Sequence, residues 1–267
     1  MGVYDLTGRK ALVTGGARGL GAGMAQALGL AGASVMIGDI LEADGQQTAA
    51  SIEESGVSSG FVTLDVTDET SWEAAVAKTV ADLGGFDILV NNAGIEISAL
   101  VVDLDPADAR RMLDVNVLGT ALGLKHAFRA MRPGGATGGG GAIVNISSVA
   151  ATIPFPGIAA YAATKSAVDR LTRVAALESG KLGYGVRVNC VYPGLVPTQM
   201  GAKLADDMAR LGLWPSAEAA VGDVIGLTPL GRLGEVGDMA DAVVFLVSDA
   251  ARFITGVGLP VDGGMGM

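Results

Sequence analysis

With 267 residues, half of them hydrophobic, the chain can bury a sizeable core and reads as one large α/β unit spanning residues 1–267. Its 18 Lys and Arg against 28 Asp and Glu leave a net charge of −10, which repels phosphate backbones and anionic lipid surfaces and argues against nucleic acid or membrane as a partner. A single cysteine, Cys190, excludes an intrachain disulfide and a cysteine metal cluster, and a reducing, cytoplasmic setting is expected.

The opening segment Met1–Lys10 lacks a cationic start followed by an apolar run, so no leader is expected, and Leu6 stands where an N-acylation signal needs Ser or Thr. Lys10–Thr14 reads as the first strand. It runs into Thr14-Gly15-Gly16-Ala17-Arg18-Gly19-Leu20-Gly21 and then a helix over Gly21–Ala31. The glycines let the backbone turn tightly and approach a pyrophosphate, and the helix N-terminus offers amide donors and the positive end of its dipole. A second strand, Ser34–Asp39, ends on a carboxylate about 20 positions beyond the glycine loop, where it can accept both adenosine ribose hydroxyls and repel a 2′-phosphate. Asp39 therefore selects NAD over NADP. Arg18 points the other way, and a helix-capping role for Asp39 stays open. A carboxylate lying directly against the ribose is the stronger determinant of the two.

A helix over Glu42–Ser55, a strand over Gly60–Asp65, a helix over Glu69–Leu83 and a strand over Phe86–Val90 continue the alternation. Asn91-Asn92-Ala93-Gly94 follows, which by itself reads as an Asn-Gly turn. Pro106–Met131 is one long helical stretch carrying Asn116 and His126, the sole histidine, for which a surface or interface role is expected. Metal-ligand spacing is absent, so no metal is expected. The charge-free stretch 133–164 is too rich in Gly, Ser, Asn, Thr and Pro to cross a bilayer.

A strand over Ala142–Ser147 leads to Ser148, and 13 residues later Tyr161 opens Tyr161-Ala162-Ala163-Thr164-Lys165 on a helix over Ala159–Leu182. Helical spacing of four puts the phenol and the ammonium on one face, a turn apart. A close cation favours the phenolate and is expected to lower the pKa of Tyr161, which then trades protons with an alcohol or ketone. Lys165 can also hold the nicotinamide ribose, and Ser148 can donate to the substrate oxygen where charge develops. Tyr-x-x-x-Lys alone occurs by chance in many helices; the strand Val186–Val191, the Pro193-Gly194 turn, a helix over Gly237–Ser248 and the strand Val257–Val261 give it context. Most of these strands are continuous apolar runs, as in a sheet buried on both faces. The expected fold is a single-domain, Rossmann-type doubly wound parallel sheet of about seven strands with helices on both faces.

The Thr-Gly-three residues-Gly-x-Gly loop, Asn91–Gly94, Ser148, the Tyr161–Lys165 pair, Pro193-Gly194, Thr228-Pro229-Leu230-Gly231-Arg232 and the tail Val261-Asp262-Gly263-Gly264 together resemble the short-chain dehydrogenase/reductase family, nearest in look to bacterial hydroxysteroid dehydrogenases. The resemblance spans Thr14 to Asp262. It implies that Asp65 and Val66 meet the adenine, that Asn92, Ala93 and Gly94 support the sheet and cofactor, that Asn116 tethers a water chain to Lys165, and that Val196 and Thr198 line the nicotinamide. For Asn116 the alternative is a polar residue distorting a long helix. The resemblance also implies a homotetramer paired through Pro106–Met131 and the alanine-rich Ala159–Leu182, and a substrate lid at about 195–227.

In that segment Met200, Leu204, Met208 and Leu211 recur at helical spacing as an apolar stripe, extended by Leu213 and Trp214. With Ile95, Ile97, Ala150, Thr152 and Phe155 they are the expected walls of an uncharged pocket for a small hydrophobic alcohol or ketone; the alternative is that the stripe packs on the body or a neighbouring subunit. The function expected is hydride transfer between NAD and a hydrophobic secondary alcohol or its ketone. A non-catalytic NAD-binding sensor or scaffold, or a different short-chain-type reductase, is the alternative.

Overall fold

Side chains in a strand alternate between the two faces of its sheet, so an unbroken apolar run needs cover on both sides. In the computed structural model, which describes residues 2–267, Leu12, Val13, Leu89 and Val90 are all completely buried. Met1, where the segment read for a leader begins, lies outside the described residues. The strands are β1 (Lys10–Thr14), β2 (Ser34–Asp39), β3 (Ser59–Thr63), β4 (Ile88–Asn91), β5 (Gly141–Ile146), β6 (Val186–Pro193) and β7 (Gly258–Val261). They form one parallel sheet in the order β3-β2-β1-β4-β5-β6-β7. The helices are α1 (Gly19–Leu30), α2 (Glu42–Glu53), α3 (Glu69–Leu83), α4 (Pro106–Met112), α5 (Gly119–Met131), α6 (Ala159–Leu182), α7 (Gln199–Arg210), α8 (Ala217–Leu227) and α9 (Val236–Val247).

Neighbouring strand residues serve different cores. Val13, Ile37 and Val90 pack with Met24 and Leu28 of α1 and with Val243 and Leu246 of α9. Leu12, Met36 and Leu89 pack on the other face with Trp72 of α3, Met131 of α5 and Ala175 of α6. The result is the doubly wound, Rossmann-type sheet that the apolar runs predict. Strand order reverses between β1 and β4, which opens a crevice at the carboxyl ends of these strands.

Two elements differ from expectation. β3 stops at Thr63 rather than Asp65, because the Asp65 carboxylate turns the chain by accepting from the backbone N–H and the hydroxyl of Thr67 at 2.9 and 2.7 Å. The stretch Pro106–Met131 is not one regular helix. It widens to a π turn over Leu113–Leu118, between α4 and α5, and that extra residue per turn lets Asn116 face inward.

Candidate active site

The β1–α1 loop is built so that another backbone can approach it. Gly15 and Gly19 have φ of 61° and 58°, a region costly for any residue with a Cβ. A Cβ on Gly21 would sit 2.0 Å from the Gly15 carbonyl oxygen and 2.6 Å from Asn92 Nδ2. Asn92 closes the crevice at the switch point: its Nδ2 donates to the carbonyls of Thr14 and Gly15 at 3.0 and 2.9 Å, and Thr14 Oγ1 accepts from the N–H groups of Asn92 and Ala93, both at 3.0 Å. Asp39, at the end of β2, is buried, and its carboxylate accepts from the N–H groups of Ala17 and Leu41, both at 3.0 Å. Arg18 is exposed. The carboxylate is therefore fixed at the loop by two backbone bonds.

Beyond β4 and β5 the proposed reacting groups converge. Asn116 is buried and saturated: its Nδ2 donates to Ile95 O at 2.9 Å and Thr164 Oγ1 at 3.0 Å, and its Oδ1 accepts from Ile95 N at 2.8 Å. Its place in the π turn agrees with the reading of a polar residue distorting the helix, and its bond to Thr164 ties that turn to α6. Ser148 caps a short turn over Val149–Ala151, its Oγ accepting from Ala150 N at 3.1 Å. Lys165 is buried and donates to Ile146 O at 2.8 Å, with Nζ 5.6 Å from the centre of the Tyr161 ring. The expected lowering of the Tyr161 pKa is not what this geometry produces. Burial pushes the phenol up to about 12, with Ser148 pulling the other way, and pushes the Lys165 ammonium down to about 8. Lys165 does not offset this, since its Nζ is directed at the Ile146 carbonyl rather than at the phenol oxygen.

One cavity of about 920 Å³ joins the two ends, at the upper limit of ordinary ligand sites. Gly15, Arg18, Gly19, Leu20, Gly21, Asp39, Asp65, Val66, Asn92, Ala93 and Gly94 border it at one end. Ser148, Tyr161, Lys165, Pro193, Gly194, Val196 and Thr198 border it at the other. Asn116 stands behind the wall rather than in it: a Cβ on Gly94 would lie 3.3 Å from its Oδ1 and 3.4 Å from Lys165 Nζ. The residues fit a nicotinamide dinucleotide. The glycine cradle leaves no room for side chains where a pyrophosphate would lie, α1 begins there, and a fixed carboxylate stands at the end of β2.

Helices α7 and α8 roof the far end. Met200, Leu204, Met208 and Trp214 border the cavity as the stripe predicts. Leu211 and Leu213 do not; they pack against the body beside Ile158 and Phe155, so both readings of the stripe hold in part. Ile95, Ala150 and Phe155 are walls, whereas Thr152 and Ile97 are not. The expectation of an uncharged pocket is incorrect. Glu96, between Ile95 and Ile97, borders the cavity, and so do Arg111 and Lys203. The available signal was one acidic residue next to an expected wall; strict alternation would have turned it away, since Ile95 and Glu96 both border the cavity.

His126 also departs from expectation. It is 6% exposed, stacks on Trp72 with ring centroids 6.4 Å apart, and has Nε2 3.4 Å from Glu69 Oε1. Glu69, Glu73 and His126 present potential ligand atoms within 4.8 Å of one another, a grouping that spacing along the chain could not reveal, although Lys125 also pairs with Glu69. Cys190 is buried in β6, as a strand residue there should be.

Comparisons agree with this architecture. A family model described as enoyl-(acyl carrier protein) reductase matches residues 15–266. The chain is 40% identical to a trans-4-hydroxycyclohexanecarboxylate dehydrogenase of Sinomonas cyclohexanicum, covering 95% of this chain and 91% of the relative. It is 38% identical to a 3-alpha-(or 20-beta)-hydroxysteroid dehydrogenase of Mycobacterium tuberculosis, covering 97% and 90%. Among solved structures, an NAD+-bound xylitol dehydrogenase superposes with TM-score 0.91 at 32% identity, covering 97% of this chain and 99% of that one. A gluconate 5-dehydrogenase from Burkholderia cenocepacia J2315, in complex with NADP and tartrate, superposes with TM-score 0.86 at 34% identity, covering 98% and 96%.

Proposed function

The chain belongs to the short-chain dehydrogenase/reductase family and is an oxidoreductase acting on alcohols, and from that premise we propose that it uses NAD to interconvert a hydrophobic, cyclic secondary alcohol and its ketone. The observation that carries the reading is the single cavity joining the glycine cradle and Asp39 to Ser148, Tyr161 and Lys165 under an apolar roof. A nicotinamide dinucleotide, when bound, supplies or accepts the hydride. Tyr161, whose phenol is pushed up to about 12, holds its proton through neutral pH and delivers it to the ketone oxygen in reduction. In oxidation the phenolate form takes the alcohol proton and becomes the phenol, and the Lys165 ammonium favours the phenolate from which that step starts. Ser148 donates to the same oxygen, and Asn116 positions Ile95 and α6. A non-catalytic sensor would have no use for a proton-transfer pair at the floor of its cavity.

Asp39 supports NAD over NADP, because its carboxylate is held by two backbone N–H groups and would face a 2′-phosphate at close range. Among the relatives, those that act on a hydroxycyclohexanecarboxylate and on hydroxysteroids support a cyclic substrate. Helices α7 and α8 are the proposed lid. In a test with both cofactors against cyclohexanols, steroids, sugars and short hydroxy acids, kcat/KM is expected to favour NAD at least about tenfold and the cyclic alcohols over the others, with Asp39→Ala narrowing the cofactor gap. Preference for NADP would overturn the role of Asp39. Preference for short hydroxy acids would overturn the apolar pocket.

The assembly proposed is a homotetramer. Leu113 and Leu118 in the π turn and Val174, Leu177 and Leu182 on α6 are 44–61% exposed, and apolar side chains of this kind are what a closed symmetric assembly would cover. Ala175 and Ala176 face the chain's own core and are not available for that contact. Light scattering at micromolar concentration is expected to give four times the chain mass, and a monomer would refute the assembly.

A further inference from the structure

The least explained group in the molecule is Glu96. It is 7% exposed and borders the cavity that holds Tyr161. Its Oε1 accepts from Ser98 Oγ at 2.7 Å, while Oε2 is buried with no hydrogen-bond partner. The segment cannot swing away to satisfy it. Ile95 is clamped by Asn116 on one side, and on the other Ala99 pairs with Ile158 and donates to Gly157 O at 2.8 Å. The cations on α7 offset its burial only in part, because Lys203 and Arg210 are both paired with Asp207, and neither donates a hydrogen bond to Glu96. A buried polar atom left without a partner is destabilising, and native structures keep few of them.

We propose that the free oxygen of Glu96 is a subsite for a second hydroxyl of the substrate, so that the preferred alcohol is a diol carried on an apolar frame. This rests on the reaction proposed above. Burial raises the pKa of Glu96 and so favours its neutral form. A hydroxyl suits either form, donating to the carboxylate or accepting from the acid. A carboxylate on the substrate would be repelled by the ionised form, and an ammonium would lose its counter-charge to the neutral form. The apolar roof of Leu204, Met208 and Trp214 covers the remainder of the frame, and the clamped backbone means that little ordering is needed on binding.

The test compares cyclohexane-1,2-, 1,3- and 1,4-diol with cyclohexanol, using the whole enzyme with NAD, as wild type, Glu96→Gln and Glu96→Leu. A satisfied hydrogen bond to a buried carboxyl is expected to favour at least one diol by roughly ten- to hundredfold in kcat/KM. In Glu96→Leu that ratio should fall to within about threefold of unity, and the isosteric Glu96→Gln should keep part of it, which covers the case of a Leu variant that does not fold. A wild-type ratio near unity, or a ratio that survives both substitutions, overturns the subsite. If no alcohol is turned over, the proposed reaction fails instead, and binding decides the subsite: with NAD present, the diol should raise the melting temperature of wild type more than cyclohexanol does. A difference that falls away in Glu96→Leu and is reduced in Glu96→Gln supports the subsite; its absence in wild type, or its full survival in both variants, overturns it.

Discussion

Replacing Tyr161 with Phe is expected to lower kcat by at least about a thousandfold, or about 4 kcal/mol of transition-state stabilisation, while NADH binding changes by less than about threefold. The substitution removes only the hydroxyl. The ring packs with Ala150, Ile158 and Met208 under the roof, so the fold and cavity shape should persist. The phenol is pushed up to about 12 by burial, so at neutral pH it is the protonated form that is lost, and ketone reduction should suffer at least as much as alcohol oxidation. Steady-state kinetics in both directions, with NADH fluorescence titration as the binding control, check this. Activity above a tenth of wild type would remove Tyr161 from the proton-transfer role.

Lys165→Met is expected to separate function from stability. Turnover should fall by at least about a hundredfold, because the group that favours the phenolate and can hold the nicotinamide ribose is lost, and cofactor binding should weaken as well, unlike in Tyr161→Phe. The folded protein itself should gain stability. Burial holds the Lys165 pKa at about 8 against an ordinary value of 10.5, so below pH 8 the ammonium is charged in both states and the folded state bears its full desolvation penalty. Between pH 8 and 10.5 the unfolded chain binds the extra proton and wild-type stability rises with pH; above 10.5 the penalty is gone. The variant should therefore melt higher than wild type at pH 7, by on the order of 1–3 kcal/mol after the bond to Ile146 O is deducted, with the difference shrinking toward pH 10.5. A variant less stable than wild type at pH 7 would show that the buried ammonium is better solvated than its surroundings suggest.

The sequence by itself determined the parallel sheet and the two ends of the cavity, for a local reason. Unbroken apolar runs need cover on both faces, the glycine loop must join a strand to a helix, and Tyr161 and Lys165 share a helix face through their spacing alone. Every residue expected to touch the cofactor borders one cavity. Tertiary structure decided what depends on distances between segments remote in sequence. The contact of Asn116 with Thr164 across 48 residues explains a π turn that helical periodicity did not show. The neighbours of His126 lie on α3, more than fifty residues away. The high phenol pKa of Tyr161 depends on how deeply the fold buries it and on where Lys165 directs its proton, and spacing fixes neither. Glu96 was visible as one acidic letter between two isoleucines, but only the packed fold shows that one of its oxygens is buried without a partner, because desolvation is a property of everything that surrounds an atom.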